Sequence, residues 1–181
     1  MLEIVSKYKK GTQIQIGENR AIIVSDLIKF KEFLAIYADI IQNTDFKQPC
    51  GTCKIHDNVA LIIRDKEKLS EIGLTTEERK AIYCHELGHC FSSNQQKSKN
   101  SERNIDDEVD SDTFAVEKCD ISPYVLEKAL AKSYEYEIQN IGKKVGLTQE
   151  ALNRYVEEMR TRKRNVQRLI HIFEEKESSR E

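Results

Sequence analysis

Apolar and polar residues alternate along the first part of the chain and recur at helical spacing along the rest. Ile14, Ile16, Ile22 and Val24 fall in two short alternating runs around Gly17-Glu18-Asn19-Arg20, the pattern of a small β-hairpin. Asp26 is placed to cap a helix reaching roughly Gln42, with Leu27, Phe30, Leu34 and Ile41 on its apolar face. Asn43 to Thr52 has no period and is expected to be irregular. Cys53-Lys54-Ile55-His56 and Val59-Ala60-Leu61-Ile62-Ile63 flank the turn signal Asp57-Asn58, and the second run is the best strand in the chain. Such a strand is expected to border a substrate cleft and to keep one backbone edge available for an extended peptide.

After residue 75 the period changes to that of helices. Thr75 or Thr76, followed by Glu78, opens a helix that carries the chain to about Ser92. Ser93 to Arg103 is polar and reads as a loop. Further helices are expected from about Ile105 to Cys119, from Pro123 to Ile141, and from Thr148 to Lys176, with Pro123 in a first-turn position. In the last of these, Leu152, Val156, Met159, Lys163, Val166, Ile170 and Phe173 form a heptad-like seam interrupted by Lys163. Leu126, Leu130, Tyr134 and Ile138 offer a matching stripe. The last helix is therefore expected to pack on the one before it, as a structural element outside the chemistry. Short strands first and helices afterwards make the class α+β. The expected division is a core over residues 1–121 and a C-terminal helical extension over 122–181 packed on that core.

Composition adds limits. With 181 residues the chain is long enough to bury a core without disulfides. Its 39% hydrophobic and 33% charged residues, with only two prolines and seven glycines, suit a helix-rich globule. A formal net charge of −2 supplies no global field for nucleic acid or anionic lipid, so no direct nucleic-acid binding is expected. No run of about 18 apolar residues is present, so no membrane span is expected. The N-terminus lacks the apolar core of a secretory signal, which points to the cytoplasm. Five cysteines without such a signal read as reduced thiols. Cys50-Gly51-Thr52-Cys53 has the C-x-x-C spacing but no second pair to complete a metal site, so ordinary loop thiols are expected.

The chemistry concentrates at His85-Glu86-Leu87-Gly88-His89. Histidines at i and i+4 of a helix lie about 40° apart around its axis, so both rings reach one ion. Glu86 stands beside that ion, where a carboxylate takes the proton of an attacking water. Cys84, Leu87 and Phe91 point the opposite way, leaving one face for the core. Gly88 costs about 1 kcal/mol of helix stability relative to alanine but removes side-chain bulk beside the site. A catalytic zinc needs a third protein ligand, and the next helix offers Glu108, with Asp112 one turn on. Glu108 would bind the metal, and Asp112 would accept a hydrogen bond from the distal N–H of a ligating imidazole. Ser111 and Ala115 are small and would let the two helices approach. Taken alone, the run Asp106, Asp107, Glu108, Asp110, Asp112 reads equally as a solvated acidic face.

These residues resemble those of the gluzincins, and specifically the compact ImmA/IrrE-type metallopeptidases. The resemblance rests on His85-Glu86-Leu87-Gly88-His89, on Glu108 nineteen residues beyond His89, and on Asp112-Thr113-Phe114-Ala115. Ser111 stands where the family pattern has alanine. The resemblance spans roughly Cys53 to Leu130 and leaves the first 40 and last 50 residues unmatched. It implies a minimal zincin-like core with a small antiparallel or mixed sheet, one Zn²⁺ on His85, His89 and Glu108, and Glu86 as general base. It also implies a protein or peptide substrate, such as a cytoplasmic regulator or repressor. The helix-turn-helix domain that many members carry is not apparent. The alternative is a catalytically silent, zinc-stabilised module that binds a regulator or toxin partner. A tyrosine or histidine would steady the oxyanion of the reaction; Tyr124, Tyr134, Tyr136 and His171 are the candidates. Arg160-Thr161-Arg162-Lys163-Arg164 lies among glutamates and reads as a solvated helix face. A monomer is expected, with a dimer through the last helix as the other option.

Overall fold

A computed structural model of the chain describes residues 13–24, 50–56, 58–92, 105–141 and 149–179. The helix expected over Asp26–Gln42, the loop over Ser93–Arg103 and the connection around Gly142–Leu147 lie outside the described residues. The architecture is α+β. Compactness divides the chain into two units, Met1–Glu71 and Ile72–Glu181, rather than at residue 121. The helices expected as an extension thus share a unit with the His85–His89 segment.

The first unit holds a four-stranded mixed sheet: β1 (Gln13–Ile16), β2 (Asn19–Val24), β3 (Cys50–His56) and β4 (Val59–Arg64), in the order β1-β2-β4-β3. β1 and β2 form the expected hairpin, with Ile16 opposite Asn19. Gly17, the first of the two loop residues, has φ +55, a conformation that glycine adopts without a steric penalty and that two-residue hairpins favour. β4 pairs antiparallel with β3 and parallel with β2 (Ala21 opposite Ala60, Ile23 opposite Ile62). It is therefore the inner strand of the pair, and the free edge expected at Val59–Ile63 does not exist. Consecutive burial of Ala60, Leu61, Ile62 and Ile63 marks a strand covered on both faces, which is why the run is continuously apolar. β3 starts at Cys50, so Cys50, Gly51 and Thr52, expected to be irregular, are extended, and Cys50-Gly51-Thr52-Cys53 lies in a strand rather than a loop. A short helix, α1 (Lys66–Glu71), has no counterpart among the expected elements. Asp65 caps it, its Oδ1 accepting from the amides of Glu67 and Lys68 at 3.0 and 3.1 Å.

The second unit is helical: α2 (Thr76–Phe91), α3 (Ile105–Glu117), α4 (Pro123–Ile141) and α5 (Gln149–Ser178). Thr75 caps α2 through a reciprocal pair: the Glu78 amide donates to Thr75 Oγ1 at 3.2 Å, and the Thr75 amide donates to Glu78 Oε2 at 2.7 Å. Lys132 of α4 completes this buried carboxylate, its Nζ 2.7 Å from Oε2. α3 ends two residues before the expected Cys119. Asp120 turns the chain out with φ +56, and the Ile121 amide returns to the Ala115 carbonyl. Pro123 opens α4, where its missing N–H has no intrahelical partner to lose. α2 packs on α3 and α4, and α5 packs on α3 and α4, with Leu87, Phe114, Leu126, Leu130, Val166 and Leu169 in the core. The stripe Leu126, Leu130, Tyr134 is buried as expected, but Ile138 at its end is exposed. On α5 the buried face is Glu158, Arg162, Asn165, Val166 and Leu169, which shares only Val166 with the expected seam. No helix among the described residues is long and apolar enough to cross a membrane.

Candidate metal centre

The helix α2 presents His85 and His89 on one side while Ala81, Cys84 and Leu87 fill the core. Its partner α3 comes unusually close. A Cβ built on Gly88 would lie 2.5 Å from Ser111 Cα and 2.9 Å from its carbonyl oxygen, nearer than side-chain atoms tolerate. Glycine at 88 and a small residue at 111 are therefore what let α3 bring Glu108 to the two histidines.

Three donor groups converge. His85 Nε2 and His89 Nε2 are 3.2 Å apart. Glu108 presents Oε2 to His85 Nε2 at 3.2 Å and Oε1 to His89 Nε2 at 3.6 Å. Donors held at 2.0–2.1 Å by a tetrahedral ion are about 3.3 Å from one another. The first two separations are close to an edge of such a tetrahedron, Glu108 meeting His89 through its other oxygen, and the group could bind a metal ion.

Hydrogen-bond partners fix which ring nitrogens face inward. His85 Nδ1 is 2.8 Å from Asp112 Oδ1, and an ionised carboxylate only accepts, so Nδ1 carries the proton. His89 Nδ1 is 2.9 Å from Ser111 Oγ, whose own hydroxyl donates to the Asp107 carbonyl at 2.8 Å. Ser111 therefore accepts, and His89 too is protonated at Nδ1. In the neutral rings both Nε2 lone pairs then point into one small space beside a carboxylate, an arrangement that a cation stabilises. Burial and the Arg162 charge push the His85 imidazole down, but the Asp112 and Glu108 carboxylates outweigh them and raise it to about 9. Either a proton or a metal ion can supply the positive charge that the donor set favours.

A fourth side chain comes from α5. Arg162, only 4% exposed, forks onto Asp112, with Nε 2.9 Å from Oδ2 and Nη2 2.8 Å from Oδ1. Its Nη1 lies 2.8 Å from Glu108 Oε2. Nη2 is also 3.2 and 3.4 Å from the two ring nitrogens of His85. Near-equal distances to both nitrogens place it over the ring face, since an approach in the ring plane would collide with Cε1. The guanidinium Cζ is 5.6 Å from the centre of the Tyr134 ring, and Tyr134 in turn reaches Glu158 at 3.5 Å. Burial raises the Tyr134 hydroxyl above its ordinary value. Burial also holds Asp112 up, yet Arg162 and His85 outweigh it and keep this carboxyl below the usual carboxylate range.

Every residue read from the sequence as part of the site is thus accounted for. His85, His89 and Glu108 meet, and Asp112 accepts from Nδ1 of His85. Glu86 is half-buried on α2 immediately after His85. Of the four oxyanion candidates, Tyr134 alone packs against this cluster. Tyr124 is exposed and donates to Glu174, His171 is exposed beside the same glutamate, and Tyr136 is half-buried further along α4. The expectation that Arg160–Arg164 forms a solvated face fails at Arg162, through which the last helix reaches Glu108 and Asp112. The signal that could have found Arg162 is the spacing of Glu158, Arg162, Asn165 and Leu169, which repeats at four, three and four and defines one helix face. Ser111 was legible as a small residue, and its hydrogen bond to His89 was not. Arg162 and Tyr134 also line a cavity of about 660 Å³ between α4 and α5, with Leu130, Ile138, Met159 and Val166; the three converging donors do not line it. Cys84, buried, and Cys119, half-buried, are free thiols.

No protein-family model matches this chain, and no curated protein or solved structure does either.

Proposed function

We propose that the helical unit is a zinc-dependent metallopeptidase of the gluzincin type, resembling the ImmA/IrrE group, and that it acts on protein or peptide substrates. The observation that carries this reading is the convergence of two Nε2 lone pairs and the Glu108 carboxylate on one small space, with Glu86 next to the first of them in sequence. Two imidazoles and one carboxylate are a donor set that suits Zn²⁺. Zinc held there would supply Lewis acidity, lowering the pKa of a water toward neutrality and polarising the scissile carbonyl. Glu86 takes the proton of the attacking water and returns it to the leaving nitrogen as the C–N bond breaks, ending as the carboxylate it began as. Asp112 and Ser111 hold the two imidazoles in the tautomer that turns Nε2 inward.

The test is Glu86→Gln, assayed with zinc-loaded protein on a library of unfolded cytoplasmic peptides read by mass spectrometry. The amide cannot accept a proton, so the variant should keep one equivalent of zinc and lose cleavage by about 100-fold or more. Equal cleavage by the variant would sink the peptidase reading. Zinc bound at one equivalent with no cleavage by either protein would favour the silent binding module instead.

A further inference from the structure

The C-terminal helix contributes a side chain to the centre that sequence reasoning assigned to α2 and α3 alone. Arg162 enters from α5, which is fifty residues beyond Asp112 in the chain. It is a buried charge whose Nε and Nη2 hydrogen-bond Asp112, while Nη1 makes an ion pair with Glu108 Oε2 at 2.8 Å. Each of the three converging donors then has one partner outside the cluster: Asp112 for His85, Ser111 for His89, and Arg162 for Glu108. Arg162 is also the group that ties two of these arrangements together, because it holds Asp112 and Glu108 at once. A planar guanidinium is suited to that task, since its fork fixes the orientation of one carboxylate while its remaining amine reaches the other. A lysine offers a single point of charge and cannot do both.

We propose that Arg162 is a positioning residue of the metal centre. It sets the Glu108 carboxylate against His85 and His89 and locks the Asp112 carboxylate on His85, so that the centre is complete only when α5 is docked. The inference rests on the reading of His85, His89 and Glu108 as metal ligands. Two effects of the guanidinium oppose each other. As a cation a few ångströms from the site it repels a metal ion, and as a clamp on Glu108 it organises the ligand that the ion needs. The structure favours the clamp, because Glu108 and Asp112 already balance the charge of Arg162 while its geometry is spent on their orientation.

The full chain would be titrated with Zn²⁺ in competition with a chromophoric chelator, and with Co²⁺ while its visible absorption is followed. Arg162→Met should weaken Zn²⁺ binding about 10–100-fold, the range usual for loss of an outer partner of a ligand. It should also change the Co²⁺ absorption, which reports ligand geometry. Arg162→Lys keeps the buried charge, and should fold even where the methionine variant does not. It should show a smaller loss of affinity and a partly restored spectrum. Unchanged affinity and spectrum in the folded variants, or a gain of affinity, would overturn the proposal; a gain would mean that the guanidinium only repels the ion. Failure of the native chain to bind either metal would instead remove the metal reading itself, and loss of Zn²⁺ binding in His89→Ala identifies the site being titrated. None of these readouts depends on peptidase activity.

Discussion

Two stretches of this chain carry dense charge of opposite sign on helices: Asp106–Asp112 on α3 and Arg160–Arg164 on α5. In the sequence they look alike, each a run that water could solvate. In the structure each is split by helical geometry. Asp106 is exposed while Glu108 and Asp112 are 4% and 0% exposed. Arg160, Lys163 and Arg164 are exposed while Arg162 is buried. The buried members of the two runs are paired with each other, because carboxylates and a guanidinium leave water only when each compensates the other. A charge run is therefore the wrong unit of reading. The unit is the face, and residues three or four apart belong to it while their immediate neighbours do not.

Removing the acidic residue that reaches the histidines should have the largest effect. Glu108→Ala should lower metal affinity by more than the ~100-fold that outer partners account for, since it removes one of the three proposed ligands. Asp106→Ala, in the same run and two residues away, should leave affinity unchanged. A chelator competition titration of both variants checks this. Similar effects in the two would mean that the acidic run acts by its summed charge and that no single face is special.

Acid–base behaviour gives a second way to sharpen it. In the metal-free protein His85 is raised from the ordinary histidine value of 6.5 to about 9, against burial, by Asp112 and Glu108. The sign follows from linkage. A group whose folded pKa lies above its unfolded one contributes stability that is fully present below the unfolded value and is lost as pH rises through the folded one. Unfolding free energies of the metal-free protein from urea titrations should therefore fall between pH 6.5 and 9, by a few kcal/mol at most. With metal bound, His85 is already neutral and this loss should disappear. At the acid end Asp112, held low by Arg162 and His85, contributes stability above its ordinary pKa that is lost as pH drops through its lowered value. A metal-free protein whose unfolding free energy is flat from pH 6.5 to 9 would show that His85 carries no proton there.

How much of this was legible follows the range of the interactions. The cap at Thr75, the start and end of α4, the hairpin at Gly17 and the strand Val59–Ile63 are set by residues within a few positions of one another, and the sequence pattern locates them. So are His85, His89 and the Glu108–Asp112 face, each an i, i+4 pair on its own helix. What escaped is non-local. The parallel pairing of β2 with β4 joins strands separated by more than thirty residues, and nothing in either run encodes the partner. Asp65 and the six-residue α1 were hidden because a helix so short has little period to display. Arg162 was hidden because its partners lie on another helix, and because its neighbours Arg160, Lys163 and Arg164 are indeed solvated.

The smallest expected effect concerns the uncharged residue on the buried acidic face. Ser111 sits between Glu108 and Asp112 on the same side of α3, fully buried against Gly88. The close contact with Gly88 involves Ser111 Cα, Cβ and carbonyl oxygen, so the hydroxyl is not required to let the helices approach. What it adds here is a partner for His89 Nδ1, at 2.9 Å, while its own proton goes to the Asp107 carbonyl. Ser111→Ala keeps the volume nearly constant and removes only that bond. His89 is less buried than His85, so water can replace part of what is lost. Zinc affinity should therefore fall by about 10-fold, the lower end of the range for an outer partner, with thermal stability changed by less than about 1 kcal/mol. Nitrogen chemical shifts of the His89 ring in the metal-free protein check the cause: the native chain should hold the Nδ1–H tautomer and the variant should populate both. If the variant keeps a single tautomer and full affinity, the close approach of α2 and α3 alone orients His89, and the serine is there for its size.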